Sequence, residues 1–225
     1  MLTLALDTAL QACSVAIVRD GAPMAVVASP LVKGHAERIA PMVRSALAEA
    51  GVEVASLDRV GVVVGPGGFT GVRVGLAFAR SLSLGVKAEV VGLNSLKALS
   101  IMVKGASLVA SVIDARRNQV YAALYDDAGK ELLAPFVAAP EAALRRLRDA
   151  AGGNATTSIG SGAALIGAEG AGWEIFPGDG QIDVLTLAQF CESAAISDHP
   201  PAPLYLRPPD AKAAGASLFE MASRP

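Results

Sequence analysis

Residues 62–80, Val62-Val63-Val64-Gly65-Pro66-Gly67-Gly68-Phe69-Thr70-Gly71-Val72-Arg73-Val74-Gly75-Leu76-Ala77-Phe78-Ala79-Arg80, admit few folds. A β-branched run ends in four glycines and a proline within seven residues, and a long apolar segment follows without a breaker. That pattern predicts a buried strand, a tight loop and a helix start. Thr70 is the expected N-cap, its hydroxyl meeting one of the unpaired first-turn amides. From there to Leu84 the polar positions are only Arg73, Arg80, Ser81 and Ser83. A helix apolar around most of its girth is sunk in a core or covered on its second side. Small residues recur every fourth position, at Gly71, Gly75, Ala79 and Ser83, a stripe that lets another helix backbone come close.

The rest of the chain reads as two similar lobes. Leu2–Asp7, Cys13–Arg19 and Met24–Ala28 read as strands, with Asp20-Gly21 as a hairpin signal. From His35 to Ala50 the positions Ile39, Met42, Val43, Ala46 and Leu47 share one helical face, and Gly51 is the expected C-cap. A strand at 60–64, the Gly-rich loop with its helix, a strand at 89–91 and a helix from Ser95 to about Val103 follow. At Leu108 the order restarts. Val109–Asp114 is again a strand ending in aspartate, Val120–Tyr125 its hairpin partner, and Glu131–Val137 a third strand. Pro140 introduces a helix to Ala151, then come a strand at 156–159 and a helix at 185–196. The repeat is a βββαβα unit used twice, obscured between 160 and 183 by Gly-rich sequence. Its division places a first lobe at 1–104, a second at 105–199 and a Pro-rich tail at 200–225, pinned by Leu204-Tyr205-Leu206. Duplicated lobes whose hairpin strands end in aspartate suggest the α/β actin-like (ASKHA, ribonuclease H-like) architecture, in which hairpin loops hold nucleotide phosphates. Fold alone does not settle function.

Composition narrows the classes. Hydrophobic residues make up 52% of the chain against 18% charged, which argues for a well-buried protein and against disorder. The net charge of −2 lacks the basic excess of a protein that grips nucleic acid with its own surface, so contact with RNA is expected to be indirect. Cys13 and Cys191 form neither a disulfide framework nor a metal pattern. Neither a targeting segment nor an apolar run long enough for a bilayer is evident, and the expected location is the cytoplasm, away from membranes.

The block Gly65-Pro66-Gly67-Gly68-Phe69-Thr70-Gly71-Val72-Arg73-Val74-Gly75 resembles the signature of the TsaB (YeaZ) family, usually GPGSFTGxRxG, with Gly68 in place of the serine. Leu6-Asp7-Thr8, Gly34-His35-Ala36-Glu37, Asn94-Ser95-Leu96, Asp114-Ala115-Arg116 and Tyr205-Leu206-Arg207 match in order along the chain. The resemblance implies an accessory subunit in the threonylcarbamoylation of the adenosine next to the anticodon, in tRNAs that read A-starting codons. In that family TsaD carries the metal and transfers the threonylcarbamoyl group. TsaB resembles TsaD in fold, is not itself catalytic, and pairs with TsaD through first-lobe helices, while the ATPase TsaE joins the pair. A homodimer through the same surface is expected in isolation.

Site residues follow from both lines of reasoning. The helices 35–50 and 71–84 are the expected contact surface, through His35, Ile39, Met42, Val43, Ala46, Gly71, Val72, Gly75, Leu76, Ala79 and Arg80. A metal site of the catalytic relative's kind needs two histidines four apart on a helix. His35 is followed at that spacing by Ile39, and His199 lies among prolines, so no metal ligands are assigned and a metallopeptidase is disfavoured. Asp7, Thr8, Asp114 and Arg116 sit where a nucleotide cleft would be. The competing reading is that the aspartates only cap hairpin loops. No cofactor is expected to be required, weak ATP or ADP binding is left open, and a nucleotide-binding regulator or ATPase is the rival function.

Overall fold

The computed structural model describes residues 1–31 and 33–207. Ten strands and five α-helices follow in the order β1 (Leu2–Asp7), β2 (Ala12–Arg19), β3 (Ala22–Pro30), α1 (His35–Ala50), β4 (Arg59–Val63), α2 (Phe69–Val86), β5 (Glu89–Leu93), α3 (Ser95–Ser100), β6 (Leu108–Arg116), β7 (Gln119–Asp126), β8 (Glu131–Ala138), α4 (Pro140–Ala151), β9 (Thr156–Ile159), β10 (Glu174–Ile175) and α5 (Val184–Ser193). The strands form two five-stranded sheets, ordered β3-β2-β1-β4-β5 and β8-β7-β6-β9-β10. In each, a three-stranded antiparallel meander continues into two parallel strands, so the second sheet repeats the first strand for strand.

The duplication is longer than the βββαβα unit predicted. Each copy carries a further strand and helix, β5 with α3 and β10 with α5. In the second copy the place of α2 is taken by turns and a short 3-10 segment at Glu169–Ala171, which is why periodicity fails there. Helix α1 keeps its predicted bounds, His35–Ala50, and Gly51 ends it in the left-handed conformation that suits glycine. Helix α2 starts earlier than predicted. Its N-cap is Gly68, with no side-chain cap, and Thr70 lies inside the first turn. Among the described residues no helix is long and apolar enough to cross a membrane. Of the tail's expected prolines, Pro208 and Pro209 lie outside the described residues.

The helices do not respect a division at residue 104. Helix α3 packs on β6 and β7 of the second sheet, and α5 packs on β1, β2 and β4 of the first. The two copies thus exchange their last helices, and the second lobe of 105–199 loses its final helix to its neighbour. Alternation along each strand explains how one sheet takes helices on both faces. Leu6 and Val62 turn toward α2, while Ala5 and Gly61 turn toward α5; a Cβ on Gly61 would sit 2.6 Å from the Cys191 Sγ. Buried Arg59 locks α5 in place: its Nη1 donates to the carbonyls of Cys191, Glu192 and Ala194 at 2.9, 3.0 and 2.9 Å, and Nη2 to Glu89 at 3.1 Å. A positive group at a helix C-terminus also meets the negative end of the macrodipole. The result is an apolar core shared by both sheets, from Leu4 and Val62 to Ile113, Tyr125 and Ile159. A second cluster around Val112, Leu124 and Leu147 lies under α4 on the other face of the second sheet.

Candidate functional site

Strand–turn geometry brings the two hairpin loops to one place. A cavity of about 1240 Å³ opens between the lobes, lined by the β1–β2 loop, the β6–β7 hairpin, the starts of α1 and α2, and the segment Leu204–Arg207. Of the four predicted cleft residues, Thr8, Asp114 and Arg116 line it. Asp7 does not; it is fully buried.

Both aspartates bend back on their own turns. The Ala9 amide donates to Asp7 Oδ1 at 2.7 Å, and two residues after Asp114 the Arg116 amide donates to Oδ1 at the same 2.7 Å. This is the Asx-turn arrangement, repeated in both copies. Arg116 also pairs with Asp114 through Nη1 and Oδ2 at 3.1 Å. A phosphate held by these hairpins would need amides and a guanidinium that already serve carboxylates of the chain. The geometry therefore fits turn-capping aspartates better than a phosphate cradle of the kind this architecture suggests. Among the described residues no group of three or more His, Cys, Asp or Glu side chains is placed to hold a metal ion.

Burial pushes the Asp7 carboxyl up to about 7, against the opposing pull of the Ala9, Leu10 and Thr8 amides. Its Oδ2 has no hydrogen-bond partner among the described residues. A folded-state pKa above the unfolded one means that the folded protein holds the proton more tightly. This contribution to stability is complete below about pH 4 and is lost as pH rises toward 7, at roughly 1.4 kcal/mol per pH unit across that window. Thermal unfolding is expected to show stability falling from pH 5 to pH 7.5 in the wild type. In Asp7→Asn, which keeps the acceptor for Ala9 without the charge, that part of the slope disappears. Identical slopes in the two proteins would remove Asp7 as their source.

The expected contact residues are mostly interior. Ile39, Met42, Val43 and Ala46 of α1, with Val72, Leu76 and Ala79 of α2, are each at most 5% exposed and belong to the chain's own core. His35 is also buried and stands beside the cavity. The small-residue stripe has an internal cause. A Cβ on Gly71 would lie 1.9 Å from the Thr8 carbonyl oxygen, and one on Gly75 would lie 2.4 Å from Thr8 Oγ1. Thr8 Oγ1 in turn donates to the Gly71 carbonyl at 2.8 Å. The stripe exists so that α2 can lie on the β1–β2 loop, and these residues cannot meet a partner while the chain is folded. Only Arg80 of the predicted set is exposed.

What α2 does present is a different stripe: Phe69, Arg73, Ala77, Arg80 and Leu84, all exposed, with Leu84 at 83%. Val74 and Phe78 beside it are half-buried, and the neighbouring α1 shows Ala36, Ala40, Pro41 and Ala48 on its outer side. The guanidinium of Arg73 lies 3.7 Å from the Phe69 ring centre, and its Nε donates to Tyr205 Oη at 3.0 Å. Sequence reasoning passed over Phe69, Arg73 and Tyr205 as contacts, although all three stand in the matched motifs. The helical period gave the right faces but not which of them turned inward.

Comparison with known proteins bears on this geometry. Residues 26–159 match the family model described as TsaD: tRNA N6-adenosine threonylcarbamoyltransferase. The Escherichia coli protein named tRNA threonylcarbamoyladenosine biosynthesis protein TsaB is 31% identical, over 92% of this chain and 95% of its own length. A solved Pseudomonas aeruginosa structure, described as an uncharacterized protein with similarity to peptidase YEAZ, superposes with a TM-score of 0.72 at 30% identity, covering 92% of this chain and 99% of that one. The activator of 2-hydroxyisocaproyl-CoA dehydratase from Clostridium difficile, solved with bound ADPNP, shares the two-lobe actin-like fold alone, at a TM-score of 0.52 and 12% identity over 85% and 94% of the two chains.

Proposed function

Because the chain belongs to the TsaB (YeaZ) family of tRNA threonylcarbamoyladenosine biosynthesis proteins, we propose that it is the non-catalytic subunit of a tRNA threonylcarbamoyl transferase. It docks on TsaD through the outward faces of α1 and α2, TsaE joins the pair, and the tRNA is contacted through the partners. The observation that carries this reading is the outward stripe of α2. A helix that already buries one face against β4 and β5 leaves Phe69, Ala77 and Leu84 in solvent on the other. Large apolar side chains left in solvent between arginines, as Phe69 and Leu84 are here, suit an interaction surface of mixed character. An interface of standard size buries about 800 Å² on each partner, which two helices and their flanks supply. Without TsaD the same face pairs with a second copy, since one self-complementary patch suffices for a two-fold dimer.

Several features favour a supporting role over chemistry. Helix α1 offers a single imidazole, followed four residues on by buried Ile39. The hairpin aspartates are engaged with their own turns. Nucleotide is accordingly not required of this subunit. Reconstitution tests the reading. Threonylcarbamoyladenosine is expected to form in tRNA when TsaD, TsaE and this chain are combined, to fall at least tenfold when the chain is omitted, and not to form with the chain alone. Formation by the chain alone, or undiminished formation without it, would contradict the assignment.

A further inference from the structure

After α5 the chain runs as a strap over both lobes. Its first part is fixed to the first lobe by main-chain bonds. The Gly92 amide donates to the His199 carbonyl at 2.8 Å, and the Leu204 amide to the Val64 carbonyl at 2.8 Å. The approach is close: a Cβ on Gly92 would sit 2.5 Å from the Pro200 carbonyl oxygen. Two arginines on the outward face of α2 hold the same strap. Arg80 Nη2 donates to the Pro201 carbonyl at 2.6 Å, and Arg73 Nε donates to Tyr205 Oη at 3.0 Å, with the Tyr205 and Phe69 rings 5.5 Å apart.

The far end is held differently. Arg207 crosses to the second lobe, where Nη1 donates to the Ala115 carbonyl at 3.0 Å and Nη2 to Gln119 Oε1. These are neutral acceptors at the tip of the β6–β7 hairpin, and Leu204–Arg207 form one wall of the interlobe cavity. The strap is thus built into the first lobe by main-chain bonds, and among the described residues Arg207 supplies its hydrogen bonds to this hairpin.

We infer that Tyr205–Arg207 is a latch across the mouth of the interlobe cavity, which Arg73 on the outward face of α2 keeps closed against the β6–β7 hairpin. Tyr205 is the coupling residue. Its hydroxyl accepts from Arg73, and two residues later the chain grips the hairpin. Charged acceptors bind a guanidinium more strongly than a phenol does. A partner carboxylate that binds Arg73 side-on, through Nε and one Nη, therefore takes the Nε donor from Tyr205 and loosens Tyr205–Arg207 and the hairpin. The main-chain bonds of Gly92 and Leu204 keep the rest of the strap in place. That consequence rests on the docking face proposed above, whereas the latch itself is a property of the lone chain.

Hydrogen–deuterium exchange of the full chain tests the latch without any partner. The readout is the peptide that spans the hairpin tip, residues 115–119, in Arg207→Ala, Tyr205→Phe and Arg73→Ala. All three variants are expected to speed exchange there about tenfold while β1 and β4 keep their protection, as local opening does. Arg73 is the discriminating variant, because it bonds to Tyr205 and stacks on Phe69, both outside the hairpin. Loosening in Arg207→Ala alone would show a local contact with no relay and would overturn the inference. Unchanged exchange in all three would overturn it as well. Neither result would touch the docking face.

Discussion

Leu76→Asp and Ala79→Arg are expected to unfold the protein rather than to free it from a partner. Leu76 is 4% exposed and Ala79 fully buried, both inside the core that joins α2 to the first sheet. Losing a buried leucine side chain costs about 2–5 kcal/mol, and leaving an unpaired carboxylate in its place adds desolvation on top. Arginine at 79 has no volume to occupy, and its charge has no partner there. Against a total stability of about 5–15 kcal/mol, either change removes most or all of the margin. Circular dichroism melts are expected to show a transition at least 15 °C lower or no cooperative transition. A native-like melt in either variant would mean that α2 does not bury this face.

Ala77→Arg and Leu84→Lys, on the opposite side of the same helix, are expected to do the reverse. Both positions are exposed. Exposed helical substitutions to good helix formers stay within about 0.5 kcal/mol, so the fold survives. The contact does not. On the docking face proposed above, an arginine in place of Ala77 wedges the partner away from the helix, and hot positions of this kind cost about 2–4 kcal/mol. With that docking, affinity for TsaD is expected to fall by about 30-fold or more, since each tenfold step is about 1.4 kcal/mol. Co-elution with TsaD on gel filtration reads it.

Why the sequence led to the wrong face of α2 has a physical answer. Periodicity identifies a stripe but carries no sign: the small residues at Gly71, Gly75 and Ala79 are equally suited to a partner helix and to the chain's own backbone. What settles the matter is Thr8, whose carbonyl and hydroxyl occupy the space where side chains at 71 and 75 would be. That contact spans more than sixty residues of chain and no local pattern records it. The first meander was legible because Asp20-Gly21 is a local turn between two β-branched strands, and the second because the same order of strands restarts at Leu108. The aspartate pair was legible from its repetition, and its Asx-turns follow from residue type. The exchange of α3 and α5 between the sheets was not legible, because a short apolar helix fits either sheet equally well. Arg59 illustrates the same limit. Its three carbonyl acceptors lie more than 130 residues away, at the end of α5.

The role of the outward face is tested most directly by adding purified Ala77→Arg protein to TsaD, TsaE and unmodified tRNA and measuring threonylcarbamoyladenosine. A protein that acts by docking through that face is expected to melt like the wild type and yet fail to restore modification above the level seen without it. Full restoration by a chain carrying arginine at 77 would contradict the account.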